Sequence, residues 1–246
     1  MNALQSARIL RQMTGASETE PLDIRTLLPR YYPVTFIGLA GLRVHAIGEW
    51  LNRRQILSPK SLVMCRDRSL RGGIFAENGV ACIFYDADDS EDDVRYTLTH
   101  EAGHYLQDYL YPREEVVAQL GENVRAILDG LRLPTLEERV NSLLAQTSLY
   151  QLTHLMARED NSPQSSQEVL LREAEADAFA CETLASRTAI ESQFAWTGEP
   201  DSDKARLINL LQSHFRLPRT YAIAYAERLS SQYAPPLNPW RHLRLI

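Results

Sequence analysis

Within the stretch TLTHEAGHYLQDY stand two histidines four residues apart, His100 and His104, with Glu101 directly after the first. On a helix, residues i and i+4 project from one face. These two side chains can therefore offer two imidazole nitrogens to one cation, at roughly 2.0–2.1 Å each for zinc. Glu101 lies about 100° around such a helix, near the ion but turned too far to be an equal ligand. A carboxylate there suits a general base, because zinc lowers the pKa of a water to about 7 and polarises the carbonyl under attack. Gly103 within the turn costs about 1 kcal/mol of helix propensity relative to alanine. Together with Ala102 it leaves room for another element to pack close.

A catalytic zinc usually has three protein ligands and a water. The metzincin continuation asks for glycine and histidine further along, and Gln107 and Leu110 stand in those places. The remaining source is a glutamate from a second helix. LLREAEADAFACETLASR (170–187) supplies Glu173, Ala176 and Asp177 in an E-x-x-A-D arrangement. Glu173 is the expected third ligand. Asp177, one turn on along the same face, is the expected hydrogen-bond partner of a ligating histidine, His100 or His104. Glu175 is the rival ligand, on a different face. Tyr96, Tyr105, Tyr109 and Tyr150 are all open as donors to an oxyanion. His45, His154, His214 and His242 have no spacing that ties them to this pair. His154 is read as part of a helical insert; as a fourth protein ligand it would favour a structural over a catalytic metal.

These side chains need a frame. Residues 4–14 and 38–56 read as helices, and SLVMC (61–65) and GGIFAENGVACIFYD (72–86) as strands. Asn78-Gly79 in the latter is a hairpin signal. Ser90 is the expected N-cap of the motif helix, with Asp93 three residues on and Pro112 ending it. Further helices are expected at about 114–130, 135–157, 165–186, 203–216 and 218–232, with a polar loop at 158–167 and an extended proline-rich end. Strands first and helices after predict an α+β fold, mostly helical, with a small N-terminal antiparallel sheet preceding the motif helix. The expected organisation is an N-terminal extension (1–35), a main domain (36–200) with a helical insert at about 112–165, and a C-terminal helical segment with a proline-rich tail (201–246).

Composition narrows the function classes. A chain of 246 residues is long enough for a sizeable core, and a net charge of −6 argues against direct nucleic-acid binding. Cys65, Cys82 and Cys181 show no paired spacing and read as free thiols of a reducing cytosol. MNALQSARILRQM lacks the pattern of a secretory signal, and no apolar run approaches the roughly 18 residues that span a bilayer. The arginine-rich CRDRSLR (65–71) reads as a solvated loop, with steering of an acidic substrate as the alternative.

The sequence resembles the ImmA/IrrE family of bacterial and phage metallopeptidases. The likeness rests on NGVACIFYDADDSEDDVRYTLTHEAGHYL (78–106) and EAEADAFACETL (173–184). It implies a zincin-like domain, with His100, His104 and Glu173 as zinc ligands and Glu101 as general base. Two features depart from the family: a long insert between the motifs, and LASRTAI in place of a leucine-methionine-proline ending. The expected protein is a cytoplasmic zinc endopeptidase, with manganese as the alternative metal. It would cut a protein partner such as a helix-turn-helix repressor in a stress or mobile-element response. The runner-up is a non-hydrolytic regulatory binding protein with a structural or sensory zinc.

Overall fold

Asn78 and Gly79 turn the chain with φ of 53° and 79°, a left-handed pair that matches the twist of a tight hairpin. From this turn β2 (Leu70–Glu77) and β3 (Val80–Asp86) run antiparallel. Two tyrosines pin the turn from below: Tyr105 donates its hydroxyl to the Gly79 carbonyl at 2.8 Å, and the Gly79 N–H donates to the Tyr109 hydroxyl at 2.9 Å. The computed structural model describes residues 2–17, 22–56, 62, 66–135, 151–158 and 166–233.

The sheet has four strands in the order β1-β3-β2-β4. Val34–Leu39 (β1) runs parallel to β3, and Gln151–Ala157 (β4) pairs antiparallel with β2. The α+β class therefore holds, but the sheet is mixed, and one strand comes long after the motif helix. Two expected helices are corrected by it. The reading of 38–56 as one helix gives way to β1 followed by α3 (Val44–Arg53), and residues 151–157, expected within a helix, form β4. In QLTHLMA the residues Leu152, His154 and Met156 alternate with Thr153 and Leu155, which is strand periodicity. Most of the expected strand 61–65 lies outside the described residues, as do residues 136–150 of the expected insert.

Alternation sorts the sheet's side chains into two cores. Val34, Ile74, Ala76, Ala81 and Ile83 share a cluster with Leu10 of α1 (Ala3–Thr14), Leu28 of α2 (Ile24–Tyr31) and Val94 and Leu98 of α4 (Glu91–His104). Ile37, Phe75 and Phe84 face the other way, onto Ile47 and Leu51 of α3. Residues expected as an N-terminal extension thus line the same core as the motif helix. A third cluster joins α7 (Gln167–Leu184), α8 (Arg187–Gln193), α9 (Pro200–Ser213) and α10 (Arg219–Tyr233).

Ser90 caps α4 as expected, its hydroxyl accepting the Asp93 N–H at 3.2 Å, with three acidic residues in the first turn facing the positive helix end. Pro112 does not end the helix. The ladder opens into a π turn at Tyr105–Leu110 and resumes as α5 (Tyr111–Leu120), which carries the proline in its first turn, where a missing N–H costs little. The short α6 (Arg125–Leu128) follows. Among the described residues no helix is long and apolar enough to cross a membrane.

Candidate metal centre

The two motif helices meet at their smallest residues. A β-carbon added to Gly103 would stand 3.1 Å from Phe179 Cδ1 and 3.3 Å from the Ala176 Cα. Contact this close brings the face of α7 that carries Glu173 and Asp177, on either side of Ala176, over the histidines of α4. The helix also lies tight on the sheet. A β-carbon at Gly72 of β2 would come within 2.3 Å of Thr97 Cγ2 and 3.6 Å of Glu101 Cγ. A costly glycine within the helix and one within the strand thus set the depth of the site.

His100, Glu101 and His104 are buried, at 1 %, 0 % and 3 % exposure, while the side chains of Glu173 and His154 reach the mouth at 34 % and 17 %. Nε2 of His100 and Nε2 of His104 lie 3.2 Å apart. Glu173 faces both, with Oε2 at 3.5 Å from the first and Oε1 at 3.6 Å from the second. Ligand atoms on a tetrahedron with bonds of roughly 2.0–2.1 Å would be separated by about 3.3–3.4 Å. The three donor groups already stand near that spacing.

Tautomers follow from the partners of the other ring nitrogens. Nδ1 of His100 is 2.9 Å from Asp177 Oδ1, and Nδ1 of His104 is 2.6 Å from Asp108 Oδ2. An ionised carboxylate only accepts, so Nδ1 carries the proton and Nε2 keeps a lone pair. Two lone pairs 3.2 Å apart repel unless a cation lies between them. Without an ion a proton takes that role. Burial disfavours the His100 imidazolium, yet Asp177 and Glu173 outweigh it and raise its pKa to about 9. Burial likewise opposes the Glu173 carboxylate, and the three histidines overcome it, holding its pKa well below the usual carboxylate range. The donor set fits a divalent cation.

His100, Glu101, His104, Glu173 and Asp177 are brought to this place. Asp177 serves His100 and also accepts the Tyr96 hydroxyl at 2.7 Å. Glu175 faces elsewhere, accepting the Ala3 N–H at 2.8 Å. Tyr105 and Tyr109 are committed to the hairpin turn, and Tyr150 and His242 lie outside the described residues. His45 pairs with Glu49 at 3.6 Å on the surface, and His214 lies 3.2 Å from Gln193.

Asp108 was not expected at the site, and His154, weighed as a fourth ligand on a helical insert, reaches it from a strand instead. Asp108 lies one turn beyond His104, an i,i+4 spacing that the sequence carried openly. His154 comes from β4, opposite Ile74 in the register with β2, which puts it on the sheet face that receives α4. Its Nδ1 is 2.9 Å from Glu101 Oε2 and its Nε2 is 2.8 Å from Glu173 Oε1. Burial again opposes its charge, but Glu101 and Glu173 prevail and lift its pKa to about 10 when no ion is present. One donor atom from each of His100, His104, His154 and Glu173 lies within 4.8 Å of every other. The second oxygen of Glu101, Oε1, is buried with no hydrogen-bond partner. A separate cleft of about 310 Å³ is lined by Arg71, Asp93 and Tyr221 among others and includes none of these four residues.

Neither a protein-family model nor a curated protein matches this sequence. Fold and site together define an α+β protein with a buried histidine–carboxylate cluster that could hold a metal ion.

Proposed function

We propose that the chain is a metal-dependent endopeptidase, as its resemblance to the ImmA/IrrE family implies, with zinc at the cluster of His100, His104 and Glu173. When bound, such an ion acidifies a water and polarises a peptide carbonyl. The protein supplies the rest. Asp177 and Asp108 fix the two imidazoles in the tautomer that points Nε2 inward. Glu173, at the mouth, adds the anionic donor. Glu101 is the general base, and the observation that carries the reading is its Oε1: a buried carboxylate oxygen, with no partner, on the same turn as the histidines. Beside it, β4 pairs on one side only among the described strands, and its other edge offers backbone groups to an extended peptide.

Glu101→Gln tests the assignment. The zinc-loaded chain should cut unstructured proteins, and the variant should keep its metal while cutting at least about 100-fold more slowly, the lower end for loss of a general base. A variant that cuts like the unmodified chain removes Glu101 from the role. The same variant, used as bait, should retain a protein partner; a helix-turn-helix repressor is the partner that the resemblance suggests.

One observation favours a second reading, a non-hydrolytic regulatory protein with a structural or sensory metal. His154 places a third imidazole at the cluster, and a fourth protein donor is the mark of a closed site. That reading requires that no preparation of the chain cleaves peptides while metal binding persists.

A further inference from the structure

His154 repeats, from the sheet, what the two motif histidines do from the helix. Each of the three imidazoles has Nδ1 against a carboxylate: His100 on Asp177, His104 on Asp108 and His154 on Glu101, at 2.9, 2.6 and 2.9 Å. Carboxylate pairing of this kind orients histidines that bind metals, because it leaves Nε2 as the donor. The His154 ring centroid lies 4.0 Å from that of His104, and its Nε2 turns to Glu173 at 2.8 Å. A cation at the cluster would have three imidazoles and one carboxylate within reach.

From this we infer that His154 is the fourth protein ligand of the resting site and closes it, so that the chain cuts well below its full rate until β4 shifts. The inference rests on the endopeptidase reading for its consequence and on the cluster alone for its geometry. Closure acts on two groups at once. Nε2 fills the position a water needs, and Nδ1–H holds Oε2 of Glu101, which draws the base towards the strand. Withdrawal of one side chain would open the coordination position and release the carboxylate together.

The placement of His154 suits such a latch. The other ligands sit on α4 and α7, which pack against each other around Gly103 and Ala176. His154 alone sits on an edge strand, and all seven residues of β4 are partly exposed. The strand is held by its antiparallel ladder with β2 and, at its end, by Arg158, which reaches the buried Asp86 at 2.7 Å and Asp89 at 2.8 Å; its other edge has no strand partner among the described residues. A peptide or partner pairing with the outer edge of β4 would act on the one ligand that is not held by a helix.

Cobalt substitution tests the latch without relying on cleavage. With Co2+ in place of zinc, the unmodified chain should show the intense visible absorption of a four-coordinate ion and little change when azide is added. His154→Ala should respond to millimolar azide, and its cleavage of unstructured protein should rise at least tenfold. An unmodified chain whose spectrum responds to azide as the variant's does overturns the latch. So does a His154→Ala variant that loses activity with its spectrum unchanged, which would make His154 a positioning residue for Glu101. Should the spectra follow expectation while no protein cleaves, the closed site stands and the endopeptidase reading falls. If the variant fails to fold, X-ray absorption of the unmodified zinc-loaded chain decides: three imidazoles support the latch and two overturn it.

Discussion

Asp177 Oδ1 receives two donors at once, the His100 Nδ1–H at 2.9 Å and the Tyr96 hydroxyl at 2.7 Å. The tyrosine fixes the carboxylate, and the carboxylate fixes the imidazole. Asp177→Asn keeps the shape and removes the charge that makes the ring nitrogen a strong donor. Metal affinity should fall about 10- to 100-fold, the range for removing such an outer partner. Asp108→Asn should do the same through His104. Competition against a chelator of known affinity measures both, and wild-type affinity in either variant would show that the pairing does not tune the ligand.

Glu173 and Glu175 are two residues apart and do different work. Glu173 faces the histidines, whereas Glu175 accepts the N–H of Ala3, the first residue of α1. A carboxylate at a helix N-terminus satisfies an orphan donor and the helix dipole together. Glu173→Ala should weaken metal binding severely, so that the variant loses its metal to a chelator that the unmodified chain withstands. Glu175→Ala should leave metal bound and lower stability by about 1–2 kcal/mol, as for a lost charge-assisted hydrogen bond. Melts recorded without metal should therefore rank the two variants opposite to their metal contents. Equal metal loss in both would contradict the orientation of α7.

Binding at this cluster should also stabilise the fold. An ion that binds only the folded chain adds about 2.7 kcal/mol at a hundredfold excess over its Kd. Chelation should lower the melting temperature by several degrees, and returning zinc should restore it. A melting temperature indifferent to metal would argue against the whole site.

Much of this was written locally. The pairing of His100, Glu101 and His104 followed from helical spacing, and the Asn78-Gly79 turn and the Ser90 cap from side-chain chemistry that acts within a few residues, whereas spacing alone left Glu173 and Glu175 as rivals. His154 was hidden for a physical reason. Leucine and methionine are good helix formers, and the alternation of seven residues in β4 was submerged in a longer stretch read at helical period. What makes β4 a strand is its pairing with β2, some eighty positions away in the chain, and no local preference reports that. The π turn escaped similarly: Pro112 signals a break, and only packing of both flanking helices turns the break into a widening. Asp108 was legible by spacing, but the choice between a solvated carboxylate and a histidine partner depends on the ring's orientation.

Asp203 provides a check on the pH dependence of the C-terminal helices. Its carboxylate accepts the N–H groups of Thr197 and Gly198 and the Thr197 hydroxyl, at 3.0, 3.0 and 2.8 Å. Burial pushes its pKa up, and these donors with Arg206 push it further down, so that the net shift is downward. A depressed carboxylate stabilises the fold above its unfolded pKa of about 3.9, and the benefit disappears as pH falls through the lower folded value. Asp203→Asn should therefore melt below the unmodified chain at pH 7, and the gap should shrink as pH falls below the unfolded value of about 3.9. A gap that stays constant with pH would mean that the charge contributes nothing.

Gly103 offers the sharpest test of how the site is assembled. Alanine there gains about 1 kcal/mol of helix propensity, but its β-carbon meets Ala176 Cα at 3.3 Å and Phe179 Cδ1 at 3.1 Å. The phenyl ring can swing slightly; the backbone of α7 can yield only by moving the helix. For Gly103→Ala the two effects nearly cancel in stability, so the melting temperature should change little. Metal affinity should still fall severalfold, because any retreat of α7 carries Glu173 away from both histidines. Gly103→Val crowds the contact further, at a cost of about 1–3 kcal/mol for overpacking, and should lose metal and stability together. Chelator competition and melting curves on the same preparations separate the two effects. An alanine variant that binds metal as tightly as the unmodified chain would show that the helix contact does not set the distance on which the cluster depends.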